Sequence, residues 1–437
     1  MTSTNFFDII KKKRDDVMKY KAEVFDKVQY LYEVTKFNDH QLHCMIRFDG
    51  KINENVLRNS MLMLLQVVPI LSCIYRHNNG SDCWESANPS DFENLLLVVH
   101  NKTVFDHFTT SKINEFTGPQ VKVCLYQSDK DSLSIIMNHM VCDAAGFKQC
   151  LYLLSSFYSN LIENPEYLPD FKIDGDRSIE KILKQIPLWK KMNSLLFHNS
   201  ESNQVSEIIF PLSSNKNIFP FILTREIEPA KFTQIHDYCQ KNSVTMNDVF
   251  LAAYYRALLQ KLKVDGNSLH IPIMVDMRRY LKNKDFDALS NLSSTIITYV
   301  PISASESFEE TVSKISAEMN RKKATDLGVN GFVKLNLVFK LLNEKSSYKI
   351  TKDALKNPLI CMTNIGVIDK KKLYFKGTKI VNAFICGSIK HRPHFQIALS
   401  SYADTITVSS NLYGSQQDYD TITHFLAMVE NELPIKK

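Results

Sequence analysis

Glycine is scarce in this sequence, at 12 of 437 residues, and none of it forms a Gly-rich phosphate loop or a G-x-G-x-x-G fingerprint. The commonest ways of cradling a nucleotide on backbone amides are therefore missing. The nine cysteines, at 44, 73, 83, 124, 142, 150, 239, 361 and 386, contain no Cys-x-x-Cys pair and no Cys/His cluster with zinc spacing, which argues against a metal site. Their odd number and apolar surroundings predict reduced, buried thiols. Long apolar runs are absent too: the most apolar window, Met61–Ile74, is interrupted by Gln66 and Pro69 and is too short to span a bilayer. The start of the chain, Met1–Phe7, lacks the charged and apolar regions of a secretory signal. Together these features predict a soluble, cytoplasmic protein. No repeat of solenoid period is visible.

Charge is similarly undramatic. The net charge of +6 is not gathered into stripes. Its densest runs are Lys11–Arg14, followed at once by Asp15 and Asp16, and Lys370–Lys372. Solvated faces explain such runs better than a nucleic-acid footprint does. A mild positive bias does suit an anionic co-substrate or an acidic protein partner.

What is present is alternation. At 437 residues the chain is too long for one average domain. Strands are predicted at Leu42–Phe48, Ile70–Tyr75, Leu95–Val99, Val121–Tyr126 and Leu133–Met137, with helices from Glu54, capped by Asn53 and stopped by Pro69, and from Ala145 to Asn160. Ser178–Phe197 reads as a helix kinked at Pro187, and the Ser- and Asn-rich stretch 199–217 as a linker. Beyond it come a strand at Phe221–Ile227 and helices at Pro229–Lys241 and Met246–Leu262, the latter capped by Thr245 and apolar on most sides. Strands at Leu269–Val275 and Ser294–Ile302 and helices at Phe308–Lys322 and Phe332–Leu342 follow. Strands at Leu359–Thr363, Lys379–Ile385, His394–Ser400 and Thr405–Asn411 and a helix at Tyr419–Asn431 complete the pattern. The fold class is α/β (α+β), with an N-terminal lobe over 1–198 and a C-terminal lobe over 218–437.

The sharpest local feature is Ser134-Ile135-Ile136-Met137-Asn138-His139-Met140-Val141-Cys142-Asp143-Ala144-Ala145-Gly146-Phe147. An apolar strand ends at His139, and Asp143 stands at a helix start. A histidine at a strand exit can work as a general base near neutral pH. As a bare His-x-x-x-Asp spacing the feature is weak, because 12 histidines and Asp at about one residue in eighteen give roughly one chance match. On the spacing alone, a partly buried histidine beside an N-capping aspartate explains it better. Cys142 lies in an apolar loop without a basic partner, which speaks against a nucleophilic thiol.

The wording of the run resembles the His-His-x-x-x-Asp-Gly motif of the condensation-domain superfamily, which also holds chloramphenicol acetyltransferase, plant acyltransferases, wax-ester synthases and the bacterial alcohol acetyltransferase-like branch. Asn138 stands in place of the first histidine and Ala144 in place of the glycine, with Gly146 two residues on to restore backbone freedom. Val275-Asp276-Met277-Arg278 resembles the strand end whose arginine pairs with the motif aspartate; Asn291-Leu292-Ser293-Ser294-Thr295 and Thr363-Asn364-Ile365-Gly366 resemble later family segments. The resemblance implies two chloramphenicol-acetyltransferase-like lobes, each a mixed sheet flanked by helices, with the active-site tunnel at their interface. It implies an acyltransferase with His139 as base and with Asp143, Arg278, Asn138 and Gly146 supporting the catalytic loop. Ser294, Thr295 and Asn364 become candidates for the tunnel wall or for oxyanion stabilisation. No permanently bound cofactor and no metal is implied. The co-substrate is an acyl-CoA or a phosphopantetheine thioester, the latter on an acidic carrier protein acting in trans, and the acceptor is a small alcohol or amine. A member that binds a ligand without catalysis is the remaining alternative.

Overall fold

The computed structural model describes residues 18–78, 81–87, 92, 95–196, 207–264, 269–303, 305–324, 328–354 and 357–435. The basic run Lys11–Arg14 and residues 199–206 of the predicted linker lie outside them; 207–217 carry no helix or strand.

Two mixed sheets organise the chain. The first runs, in spatial order, Ile380–Cys386, Gln41–Phe48, Ser132–Asn138, Val121–Tyr126, Leu96–Val99. The last pairing is parallel and the others antiparallel. The second runs Ser293–Tyr299, His270–Asp276, Ile360–Ile368, Phe395–Tyr402, Thr405–Gly414, and both Phe219–Ile227 and the short Lys390–His391 strand pair with Thr405–Gly414. A small three-stranded sheet of Lys19–Lys21, Cys83–Ser86 and Cys73–Arg76 flanks the first. The first sheet takes its outermost strand from the far half of the chain, so the two lobes interlock.

Local sequence explains most elements. Asn53 accepts a hydrogen bond from the Val56 amide (3.2 Å) and starts the helix Glu54–Val67. Thr245 and Asp248 form a reciprocal capping box ahead of Met246–Leu262, whose residues Val249–Tyr255 are all buried between neighbouring elements. The helix Ala144–Glu163 packs on Glu54–Val67 through Phe147, Leu151 and Leu154 against the face bearing Leu57, Met61 and Leu64, all at most 2% exposed. Each such side chain contributes roughly 1.5–3 kcal/mol of burial.

Two expectations need correction. The segment from Ile70 is not strand throughout: Pro69–Ser72 is a 3-10 turn, opened by a proline that has no N–H to give to a ladder, and the strand begins at Cys73. The helix predicted over Ser178–Phe197 is two helices, Glu180–Leu183 and Leu188–Leu196, because Pro187 breaks the ladder rather than kinking it. The sequence reading also overlooked the helices Val24–Val34, Lys102–Thr109 and Glu344–Ala354. Among the described residues no helix is long and apolar enough to cross a membrane.

Candidate active site

His139 follows the last residue of the strand Ser132–Asn138, and its amide extends the ladder by donating to the His40 carbonyl (2.8 Å). The chain then turns sharply. Asn138 organises the turn: its Oδ1 accepts from the Met140 amide (2.9 Å) and its Nδ2 donates to Gln120 Oε1 (2.7 Å). A neutral amide that donates on one side and accepts on the other meets this local need, and Asn138 is fully buried.

The imidazole is held by one nitrogen. His139 Nδ1 lies 2.8 Å from the Cys142 carbonyl oxygen and 3.2 Å from Asn291 Oδ1. Both partners are acceptors, since Asn291 spends its Nδ2 on the carbonyls of His139 (2.8 Å) and Met140 (2.9 Å). Nδ1 therefore carries the proton, and Nε2, which has no hydrogen-bond partner among the described residues, keeps its lone pair. Burial lowers the pKa of His139 below its ordinary 6.5, against the opposing pull of Asp143 and the Cys142 carbonyl. The ring is thus a neutral base with a fixed tautomer.

Asn291 sits in a segment singled out for its resemblance, but its contacts were not foreseen. Asn291→Ala would orphan two carbonyls and release the ring. We expect kcat to fall about 10- to 100-fold with a much smaller change in KM, checked by steady-state kinetics beside a melting curve.

Asp143 makes no hydrogen bond to the imidazole and instead fastens the loop. Its Oδ1 caps the following helix through the Gly146 amide (3.0 Å). Its Oδ2 accepts from Arg278 Nη1 (2.8 Å), the Leu292 amide (2.8 Å) and the Ser293 hydroxyl (3.2 Å). Burial would raise its pKa, but Arg278 and these donors hold it below the usual carboxylate range. Arg278 binds the carboxylate through one nitrogen rather than as a two-nitrogen fork, because Nη2 donates to the Ser290 carbonyl (3.0 Å) and Nη1 also meets Asp276 (3.1 Å). Gly146 is helical; what it supplies is room, since an added Cβ would lie 3.0 Å from both Cys142 Cβ and Leu289 Cδ1. Ala144 is equally at home as the first helical residue.

A second arginine, unforeseen in the sequence, clamps the same loop. Arg177 pairs with Asp26 through both Nη atoms (2.9 and 3.0 Å), donates from Nε to the Leu289 carbonyl (2.8 Å) and from Nη2 to the Val141 carbonyl (3.3 Å). Trp84 Nε1 donates to the same Asp26 (2.8 Å). The pair is buried and fully hydrogen-bonded, the condition under which such a pair is tolerated. Asp26 and Arg177 are far apart in sequence, so no spacing rule could have linked them.

The other candidates lie apart from this constellation in their hydrogen bonding. Ser294 gives its hydroxyl to the Gly328 carbonyl (2.7 Å), and exposed Thr295 turns toward Met274 Sδ (3.3 Å). Asn364 is exposed; its Nδ2 donates to Asn247 Oδ1 (3.2 Å) and its Oδ1 accepts from the Gly366 amide (2.9 Å), at a bulge where Gly366 adopts a φ of 80°. Cys142 is fully buried, and burial raises its thiol well above the ordinary range, which disfavours a nucleophilic role. All nine cysteines are buried, and no two of them are joined in a disulfide.

Comparisons bear on this geometry. Residues 289–432 match the family described as the WS/DGAT C-terminal domain. Cyclosporin synthetase of Tolypocladium inflatum is 23% identical over 251 residues, which is 56% of this chain and 2% of the synthetase, so the chain spans a small fraction of that relative's length. Among solved structures, trichothecene 15-O-acetyltransferase from Fusarium sporotrichioides superimposes with a TM-score of 0.69 at 11% identity, covering 96% of this chain and 95% of that one. The starter condensation domain of rhizomide synthetase, in complex with C8-CoA and Leu-SNAC, gives 0.67 at 10% identity over 95% and 94%.

Proposed function

We propose that this chain, a member by fold of the condensation-domain and chloramphenicol-acetyltransferase-like acyltransferase superfamily, moves an acyl group from a thioester to a hydroxyl or amine acceptor with His139 as general base. The observation that carries the reading is the lone pair of His139 Nε2, presented by a ring whose other nitrogen is locked. Nε2 takes the proton of the acceptor as its oxygen or nitrogen attacks the thioester carbonyl. The tetrahedral oxyanion collapses, the C–S bond breaks, and the thiolate leaves with the proton from the imidazolium. Asp143 and Arg278 act as positioning residues. Acyl-CoA is the donor of first choice, in keeping with the CoA ligand of the rhizomide synthetase domain. A carrier-borne phosphopantetheine donor is the second reading, favoured by the likeness to synthetase condensation domains.

The test is release of free thiol from acyl-CoA on a panel of alcohols and amines, run beside an acylated carrier protein. Release with CoA supports the first reading, and activity confined to the carrier supports the second. Release with neither donor overturns both. The pH profile follows from burial of His139. A base whose pKa is lowered stays unprotonated to lower pH, so the midpoint of the acidic limb of kcat/KM should lie below pH 6.5. A limb above that value would contradict the assignment.

A further inference from the structure

Lys390 is a charged side chain that the reaction above does not use. It lies in a two-residue strand at the seam, bridged to Asn38 on one side and paired with Leu412 on the other. The residue is 4% exposed. Its Nζ sits 3.7 Å from the centre of the Phe37 ring. Among the described residues it donates no hydrogen bond and has no carboxylate within 4.0 Å. Asp39, the acid in its electrostatic surroundings, lies beyond ion-pair distance and accepts instead from the amides of Gln41 (3.2 Å) and Ile389 (2.9 Å). The other titratable groups that feel Lys390 are His139, His394 and Cys361. His139 and His394 both have lowered pKa values, while the Cys361 thiol is pushed up to about 11. Around the ammonium there are thus an aromatic face, the candidate base, and one buried carboxylate, Asp39, that lies too far away to pair with it.

A ring face compensates only part of what an ammonium loses on leaving water. An apolar residue here would escape that cost, and a cost of this kind is typical of sites that serve a ligand. Burial depresses the Lys390 pKa to about 8, so the group is still largely protonated at neutral pH and responsive to an incoming anion. Lys390 is bridged to Asn38, two residues before His40, whose carbonyl accepts the His139 amide (2.8 Å), so an anion that reached this ammonium would lie near the loop that bears His139.

We propose that Lys390 is the recognition point for a carboxylate on the acceptor, making the acceptor a hydroxy acid or amino acid whose nucleophilic atom is presented to His139. The inference rests on the acyl-transfer reading for the role of the ligand, but its binding step is measured without turnover. Protein labelled with 13C at the lysine ε-carbon is titrated by NMR, with the Lys390 resonance assigned by its disappearance in Lys390→Met. In the wild-type protein and in His139→Ala, 3-hydroxybutyrate, lactate and serine should each raise the midpoint of the Lys390 titration, and their methyl esters should not. In thiol-release assays the preference in kcat/KM for acids over methyl esters should collapse at least about tenfold in Lys390→Met, while its melting temperature equals or exceeds that of the wild type. If none of the acids moves the resonance, or if the variant melts earlier and loses acids and esters in equal proportion, the inference is wrong. A shift in both proteins without any thiol release would sustain the carboxylate site and overturn acyl transfer. Turnover of neutral acceptors with a silent Lys390 would do the reverse.

Discussion

His139→Ala is expected to lower kcat for thiol release by about 10²- to 10⁴-fold, the range over which a positioned general base contributes. The loss should fall on kcat rather than on donor binding, because the ring touches the acceptor proton and not the bulk of the thioester. Thermal stability should change little: the imidazole makes one hydrogen bond to a loop carbonyl and one to Asn291, and the latter keeps its two carbonyl contacts. His139→Gln is the useful companion, since its amide preserves a donor to the loop without a base. If either variant released thiol at the wild-type rate, the base would have to be sought elsewhere. If both bound acyl-CoA normally and the wild type never turned over, the remaining reading, a ligand-binding member without catalysis, would gain.

Arg278→Met is expected to destabilise the fold by about 3–5 kcal/mol at neutral pH, as measured by urea unfolding, because it strands a buried carboxylate. Asp143 is 2% exposed and would keep only its uncharged donors. In the wild type the depressed pKa of Asp143 contributes stability that is present above the unfolded carboxylate value and is lost as pH falls through the folded value. Without Arg278 burial dominates, and the folded pKa moves above the unfolded one. The sign then reverses, so the variant should lose less stability than the wild type between pH 7 and pH 4. Asp143→Ala should cost less, since it removes the charge rather than orphaning it and Arg278 retains Asp276 at 3.1 Å. Equal losses in both variants, with no change in pH dependence, would mean that the pair carries no electrostatic weight.

The parts of this site legible in the sequence are those written in local patterns. The caps at Asn53, Asp143 and Thr245 follow from residue type next to an apolar period, and all three accept a hydrogen bond from a first-turn amide. His139 at a strand exit was visible, but its spacing to Asp143 was no better than chance. Weight came from the order of the Arg278 and Asn291 segments, and in the structure both meet the loop. Illegible were interactions between distant positions. Nothing around Arg177 or Asp26 announces a two-nitrogen pair, and nothing in the Lys390 environment announces a solitary ammonium. Gly146 was noticed for the wrong property: its conformation is ordinary, and its lack of a side chain is what the contact with Leu289 needs.

The first sheet depends on Ile380–Cys386, which pairs with His43–Phe48 on the outer edge of Gln41–Phe48. Its core likewise includes Leu373, Phe375 and Ile385. During synthesis, therefore, the strand Gln41–Phe48 leaves the ribosome more than 300 positions before its partner on that edge exists. Until then it offers an open row of amides and carbonyls to any extended chain nearby. The loop that bears His139 hangs from the carbonyl of His40, the residue just before this strand. The sheet behind this loop is completed only after those further positions have been made, and in the interval its open edge needs protection from its neighbours.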